Sequence, residues 1–247
     1  MNTTTLDKMR KMRLLGMYRA FKTNLENEEK NQYTSDELIR FLTDAEWDDR
    51  HNRFIERRLK NAKFRYKASV EQFYYDKDRN FDKNQFMRFA DCSFIERKEN
   101  LLITGSTGSG KSYIASALGN QACIEGYNVM YFSTTKLFAG LKMAKADGSW
   151  IKETKKIEKQ DLIILDDFGI QPLDTQSRSL LMDIIEDRHG KSSTIITSQI
   201  PVKQWHDIIG EQTIADAILD RIVHDAQRIE LKGESLRRKT TKIENEN

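Results

Sequence analysis

Prolines are nearly missing from this chain: Pro172 and Pro201 are the two among 247 residues. Little therefore interrupts helices, and the many Lys, Arg, Glu and Asp favour long ones. Cysteines are as few. Cys92 and Cys123 lie far apart in no metal-ligand spacing, which excludes a disulfide scaffold and points to a reduced, cytoplasmic compartment. The four histidines, His51, His189, His206 and His224, make no zinc pattern and read as solvated or capping residues. There is no nucleophile elbow and no H-E-x-x-H motif. The N-terminus lacks an apolar signal core, and no apolar run approaches the roughly 20 residues of a membrane helix, so no membrane association is expected. A charge excess is also lacking. The net charge of +3 does not by itself imply nucleic acid, although 32% of residues are charged. No internal repeat is evident. The length allows one sizeable core and a smaller appended unit.

What the chain does have is the stretch Gly105-Ser106-Thr107-Gly108-Ser109-Gly110-Lys111-Ser112, which fits the P-loop pattern G-x-x-x-x-G-K-[ST]. Its glycines let the backbone turn tightly and bring N–H groups against phosphate oxygens. Lys111 is placed to reach the β- and γ-phosphates, and Ser112 to set its hydroxyl on Mg²⁺. Context supports the match. Leu101-Leu102-Ile103-Thr104 reads as a buried strand, and Tyr113 to Leu118 continues as a helix whose positive end faces the phosphates.

The rest of the chain reads around that motif. Leu6, Met9, Leu14, Met17 and Phe21 recur at helical spacing among basic residues. Thr34 or Ser35 caps a helix that runs on through Trp47 to Lys67. Its second half carries Arg50, Arg53, Arg57, Arg58, Lys60, Lys63, Arg65 and Lys67, interleaved with Phe54, Phe64 and Tyr66. A solvated helix face and contact with DNA backbone or an acidic partner both remain open there. Phe73, Tyr74, Tyr75, Phe81, Phe86, Phe89 and Phe94 read as packing against the core, with an adenine contact as the sharper alternative. From Asn100 strands and helices alternate. Strands are expected at 101–104, 128–132, 161–165, 193–198 and 228–231. Helices are expected from the P-loop to Gly126, from Ser133 or Thr134 to Ala146, from Ser149 to Lys159, from Thr175 to His189, and over 202–209 and 213–225. This is the pattern of an α/β fold, a parallel sheet flanked by helices with ligands at the carboxyl ends of its strands. The chain divides into a small helical N-terminal domain (1–75), a linker (76–99), a nucleotide-binding core (100–232) and a polar C-terminal tail (233–247).

Asp166 and Asp167 end the apolar run Leu162–Leu165, as a Walker B pair does. Asp166 is assigned to Mg²⁺, partly through water, and Asp167 to polarising the attacking water. Ser198-Gln199 closes the next strand. Gln199 is the better candidate to orient water near the γ-phosphate, Ser198 the second, and a plain turn residue the alternative. By spacing alone Arg221 is a helix arginine paired with Asp220 or Asp225.

Across nearly its whole length the sequence resembles the IstB-type ATPases, the transposition helpers of bacterial insertion sequences, which are related to the DnaC-type helicase loaders of the AAA+ superfamily. The resemblance rests on Asp44-Ala45-Glu46-Trp47, Glu99 to Gly105, Gly108 to Ser112 and Lys145 to Ser149. It continues through Leu165-Asp166-Asp167-Phe168-Gly169, Thr197-Ser198-Gln199, Pro201-Val202 with Trp205-His206, Ala215 to Arg221 and Ile229 to Ser235. It implies a bacterial, cytoplasmic ATPase using ATP and Mg²⁺. Such a protein would assemble as a homo-oligomer on double-stranded DNA, remodel that target, and recruit or activate the transposase of the same element. It implies that Arg221 is a finger acting in trans, and that 134–159 is a DNA-facing insertion carrying Lys136, Lys142, Lys145, Lys152, Lys155 and Lys156. The N-terminal domain would then serve self-association and transposase contact. The chain departs from many AAA+ enzymes in having Asp-Asp rather than Asp-Glu, which predicts slow, DNA-stimulated hydrolysis. It also has Gln199 rather than Asn at the sensor position. No helical lid is evident, and Arg237 or Arg238 stands as a substitute for the lid's cation. Two rival readings are a DnaC-like helicase loader and a P-loop binding module without turnover.

Overall fold

The computed structural model describes residues 2–26, 33–71 and 82–233. Phe73, Tyr74, Tyr75, Phe81, Arg237 and Arg238 lie outside them. The chain forms two compact units, 1–57 and 58–247, and the division falls inside one helix.

The first unit holds α1 (Asn2–Lys11), α2 (Leu15–Glu26) and most of α3 (Ser35–Ala62). The apolar periodicity over Leu6 to Phe21 is split between two helices because Arg13 takes a left-handed conformation, φ 60°. Thr34 caps α3: its Oγ1 accepts from the Glu37 amide at 3.3 Å while Glu37 accepts from the Thr34 amide at 2.8 Å, a reciprocal capping box. Farther along α3, Glu46 is buried and accepts from the amides of Gly16 (2.8 Å) and Met17 (3.2 Å) at the start of α2. This explains Ala45-Glu46 as the place where two helices touch. α3 stops at Ala62, short of the expected Lys67, because Lys63 turns left-handed, φ 56°.

The second unit is built on β1 (Leu101–Gly105), β2 (Val129–Ser133), β3 (Leu162–Phe168), β4 (Ser193–Ser198) and β5 (Gln227–Leu231). All neighbours are parallel, in the order β2-β3-β4-β1-β5. Alternate residues of each buried strand enter different cores. Leu101, Ile103, Leu162, Ile164 and Ile195 join a cluster with α4 (Lys83–Ala90), α5 (Ser93–Glu96) and α6 (Lys111–Ile124). Leu102, Ile163, Leu165 and Ile196 join a second cluster with α7 (Thr134–Asp147), α8 (Trp150–Glu158), α9 (Thr175–Arg188), α10 (Trp205–Ile209) and α11 (Gln212–Val223). Strands buried on both faces read as continuous apolar runs, which is why they were legible. Phe86, Phe89 and Phe94 pack in the first cluster, as the plainer reading expected.

β3 runs farther than expected, through both aspartates to Phe168. Its pairing with β4 slips between Leu165 and Phe168, and Asp167 sits at φ 60°. Ordinary strand alternation would send consecutive side chains to opposite faces; the bulge lets both carboxylates reach one cation. At the opposite end of the sheet, Arg188 is buried. It donates to the carbonyls of Ile157 (3.1 Å), Gln160 (2.9 Å) and Ser193 (2.6 Å), tying α8 to the starts of β3 and β4. Burial pulls its ionisation down to about 10 against the opposing field of Asp161. Among the described residues no helix is long and apolar enough to cross a membrane.

Candidate nucleotide-binding site

β1 ends in the glycine loop, and α6 begins at Lys111 behind Gly110, which is left-handed at φ 101°. Gly105 has φ 151°, and a Cβ there would lie 2.5 Å from the carbonyl oxygen of Leu231 on β5. Only glycine fits where the loop leaves the sheet. Lys111 is buried, and its Nζ donates to the loop's own carbonyls, Gly105 and Ser106, at 2.8 Å each. Burial lowers its affinity for the proton, while Asp167 and Asp166 work the other way.

Asp166 is the centre of the site and is fully buried. Ser112 Oγ donates to its Oδ1 at 2.7 Å, and Thr197 Oγ1 donates to the same oxygen. The Tyr131 hydroxyl donates to Oδ2, and Arg65 Nη1 lies 3.3 Å from that oxygen. Arg65 also donates to Asp167 Oδ2 at 2.9 Å. Tyr131 is held in the phenol form well above its ordinary range, by burial first and by Asp166 second. The hydroxyl of Ser112 and the carboxylate of Asp166 are hard oxygen donors side by side at the foot of the loop. That donor set fits Mg²⁺, which takes one or two protein oxygens and keeps its other positions for phosphate and water.

A cleft of about 270 Å³ opens beside them, lined by Arg65, Tyr66, Thr107, Gly108, Gly110, Lys111, Ser112, Tyr113, Asp167, Ile170 and Gln199. Gln199 Oε1 accepts from Thr107 Oγ1 at 2.6 Å, so β4 delivers this side chain to the loop. Ser198 is turned into the sheet instead, donating to the Phe168 carbonyl at 2.7 Å and accepting from the Ile200 amide at 3.0 Å. Ser106 donates to the Gly233 carbonyl at 3.2 Å, and Ser109 is buried within the loop.

Arg221 is not near this cleft. It lies by Asn100 and Gln227, at the start of β1 and β5, the sheet end away from the glycine loop. Its partner is Glu186 on α9, at 2.8 Å, rather than Asp220 or Asp225. Arg221 therefore does not serve this chain's own cleft. The lysines of 134–159 are unequal. Lys142 pairs with Asp174 at 2.6 Å, Lys145 stands 4.4 Å over the Trp150 ring, and Lys156 pairs with Glu153 at 2.5 Å. Lys136, Lys152 and Lys155 are exposed, and among the described residues no ion pair engages them.

Sequence reasoning missed Tyr131, Thr197 and the role of Arg65. Tyr131 and Thr197 stood inside strands as ordinary β-formers, and Arg65 inside a basic stretch. Half of that stretch is engaged within the chain: Arg50 with Glu46, Arg53 with Asp49, Arg57 over the Phe54 ring, Arg65 with the acidic pair. Phe64 and Tyr66 are not exposed aromatics but pack against the first core cluster.

Comparison with known proteins fits this geometry. The family model described as IstB-like ATP binding protein matches residues 7–244. The chain is 45% identical over 95% of its length to a protein of Sinorhizobium fredii named insertion sequence ATP-binding protein y4pL, of which it covers 96%. It is 32% identical over 87% of its length to the insertion sequence IS21 ATP-binding protein of Pseudomonas aeruginosa, covering 81% of that chain. Among solved structures, DnaI superposes with TM-score 0.58 at 23% identity, over 67% of this chain and 92% of that one. AMPPCP-bound DnaA from Aquifex aeolicus superposes with TM-score 0.59 at 18% identity, over 74% of this chain and 56% of that one. These likenesses identify the fold as that of the AAA+ P-loop domains.

Proposed function

The chain belongs to the family of IstB-like ATP binding proteins, and on that footing we propose that it is an ATP-hydrolysing helper of insertion-sequence transposition. The observation that carries the reading is that Lys111, Ser112 and Asp167 line one cleft at the carboxyl end of the sheet, with Asp166 bonded to Ser112 beside it. In this proposal the amides of Gly105 to Ser112 cradle the phosphates, and Lys111 leaves the loop carbonyls to meet the β- and γ-phosphates. Ser112 and Asp166 hold Mg²⁺, which when bound neutralises charge developing on the transferred phosphoryl group. Asp167 polarises the attacking water, and Gln199 orients it from across the cleft. Arg221 serves the nucleotide of a neighbouring copy, where a cation stabilises the transition state.

Further roles belong to the same proposal. Assembly would be homo-oligomeric and on duplex DNA, with Lys152 and Lys155 as its freest backbone contacts and Lys142, Lys145 and Lys156 secondary, since each already has an intramolecular partner. The N-terminal helices would serve self-association and contact with the transposase of the same element. The expected linker, 76–99, holds α4 and α5, which pack in the core, so the motor takes them in together with 100–232, and 233–247 stays a tail. The deciding experiment is the steady-state ATPase rate against added duplex DNA, for wild type, Lys111→Ala and Arg221→Ala. DNA is expected to stimulate the wild type. Lys111→Ala should lose nucleotide binding, and Arg221→Ala should bind ATP normally yet lose about 10³-fold or more in turnover. Normal turnover in Arg221→Ala would remove the assignment in trans. A DNA-independent rate together with a stable complex with a replicative helicase would replace the transposition reading by a loader.

A further inference from the structure

Two carboxylates meet at the end of β3, yet Lys111 does not neutralise them. Its ammonium is occupied by the carbonyls of Gly105 and Ser106. Among the described residues the cation within 4 Å of both Asp166 and Asp167 is Arg65. Its position is built rather than accidental. On one side Phe64 meets the Tyr131 ring edge-on at 6.5 Å; on the other Tyr66 lies 6.3 Å from the Tyr113 ring just behind the glycine loop. The guanidinium itself stands 5.6 Å over the Tyr66 ring. Packing of its two neighbours thus aims Arg65 at the acidic pair.

The two sides of this ion pair differ in freedom. Asp166 is wholly buried and fixed by Tyr131, Thr197 and Ser112, whereas the Arg65 side chain is 44% exposed. A half-exposed arginine can itself swing into water, but its departure leaves the buried Asp166 charge to its hydroxyl donors, so Arg65 gives way when another cation takes its place. Asp166 cannot follow it. Asp166 is also the carboxylate that suits a hard divalent cation, so two cations draw on one group.

We propose that Arg65 is a displaceable counter-cation of the nucleotide site: it holds Asp166 and Asp167 while no metal is present and yields them to the divalent cation that enters with the nucleotide. The proposal rests on the reading of the site as one for a metal–nucleotide pair. It makes Arg65 a positioning residue that sets the order of events. Without metal it keeps the acidic pair from repelling phosphate; with metal it becomes surplus positive charge in the same cleft.

The test uses the full-length protein and Arg65→Gln, which keeps a polar side chain and removes the charge. Mn²⁺ binding without nucleotide is followed by the electron paramagnetic resonance signal of the free ion. Binding of a fluorescent ATP analogue is followed in EDTA. The variant is expected to bind Mn²⁺ about tenfold more tightly, the worth of one displaced charge-assisted hydrogen bond, and to bind metal-free nucleotide more weakly. Arg65→Lys should return both values toward wild type. Opposite signs in the two assays support the proposal. Equal metal affinity, or a fall in both affinities together, overturns it, because a merely structural arginine would damage both. If wild type binds no Mn²⁺–nucleotide at all, the metal–nucleotide reading of the site fails and the proposal falls with it. If wild type binds that pair and Arg65→Gln matches it in every assay, the assignment of Arg65 alone is wrong.

Discussion

Asp166 receives hydrogen bonds from Ser112, Thr197, Tyr131 and Arg65, and none of the four stands next to it in the sequence. Tyr131 is the most telling because its hydroxyl reaches a carboxylate that water does not. Tyr131→Phe removes one donor from a buried charge and is expected to cost about 1–3 kcal/mol, read from the urea midpoint. Its ionisation is raised by burial and by Asp166. A raised pKa gives stability that is complete below the unfolded value and lost above it. The gap between wild type and variant should therefore hold at neutral pH and close as pH rises past about 10. An unchanged midpoint at neutral pH would count against the contact. Lys111 and Ser112 could be read from the sequence because the loop's chemistry lies within eight consecutive residues, Gly105 to Ser112. Arg65 could not. Its partners are 101 and 102 residues away, and a basic run gives no sign of which member turns inward.

At the scale of the element, local pattern and tertiary contact sometimes disagree. Gly16 sits in α2, where helix propensity alone favours alanine by roughly 1 kcal/mol. In the fold an added Cβ would lie 2.2 Å from the Ala45 carbonyl oxygen and 2.6 Å from the Glu46 Cα, both backbone atoms of α3. Backbone yields little, so Gly16→Ala should lower the circular-dichroism melting midpoint, with overpacking of about 1–3 kcal/mol outweighing the propensity gain. A raised midpoint would show that the two helices do not approach so closely. The central strands were legible for the opposite reason: in β1, β3 and β4 local pattern and tertiary contact agree, since each is buried on both faces. What the sequence hid were the breaks. Arg13, Lys63 and Asp167 all adopt left-handed conformations although none is glycine, and each changes where an element ends or which way it points. The Asp167 kink matters most, because without it the acidic pair would be divided between two faces of the sheet.

At the scale of the molecule, the alternation of strands and helices was enough to give the parallel sheet, but not the order of its strands or the residues that meet across it. The parallel direction of β1 and β5 puts Arg221, just before β5, and the glycine loop, at the end of β1, at opposite ends of one sheet. The sheet also separates the two cores, and both cysteines fall in the same one. Cys92 and Cys123 are buried, and burial pushes both thiols up to about 12. Native protein at pH 8 should resist iodoacetamide and react only when the fold opens. Rapid labelling of either thiol in the native state would contradict this burial. Trp205 lies fully enclosed in the other core. The sheet therefore carries a separate clock on each face. Thiol labelling times the opening of the side covered by α6, and the emission of the enclosed indole times the side covered by α9 to α11. If the faces are separate cooperative units the two clocks run at different rates, and if the sheet opens as a whole they keep the same time.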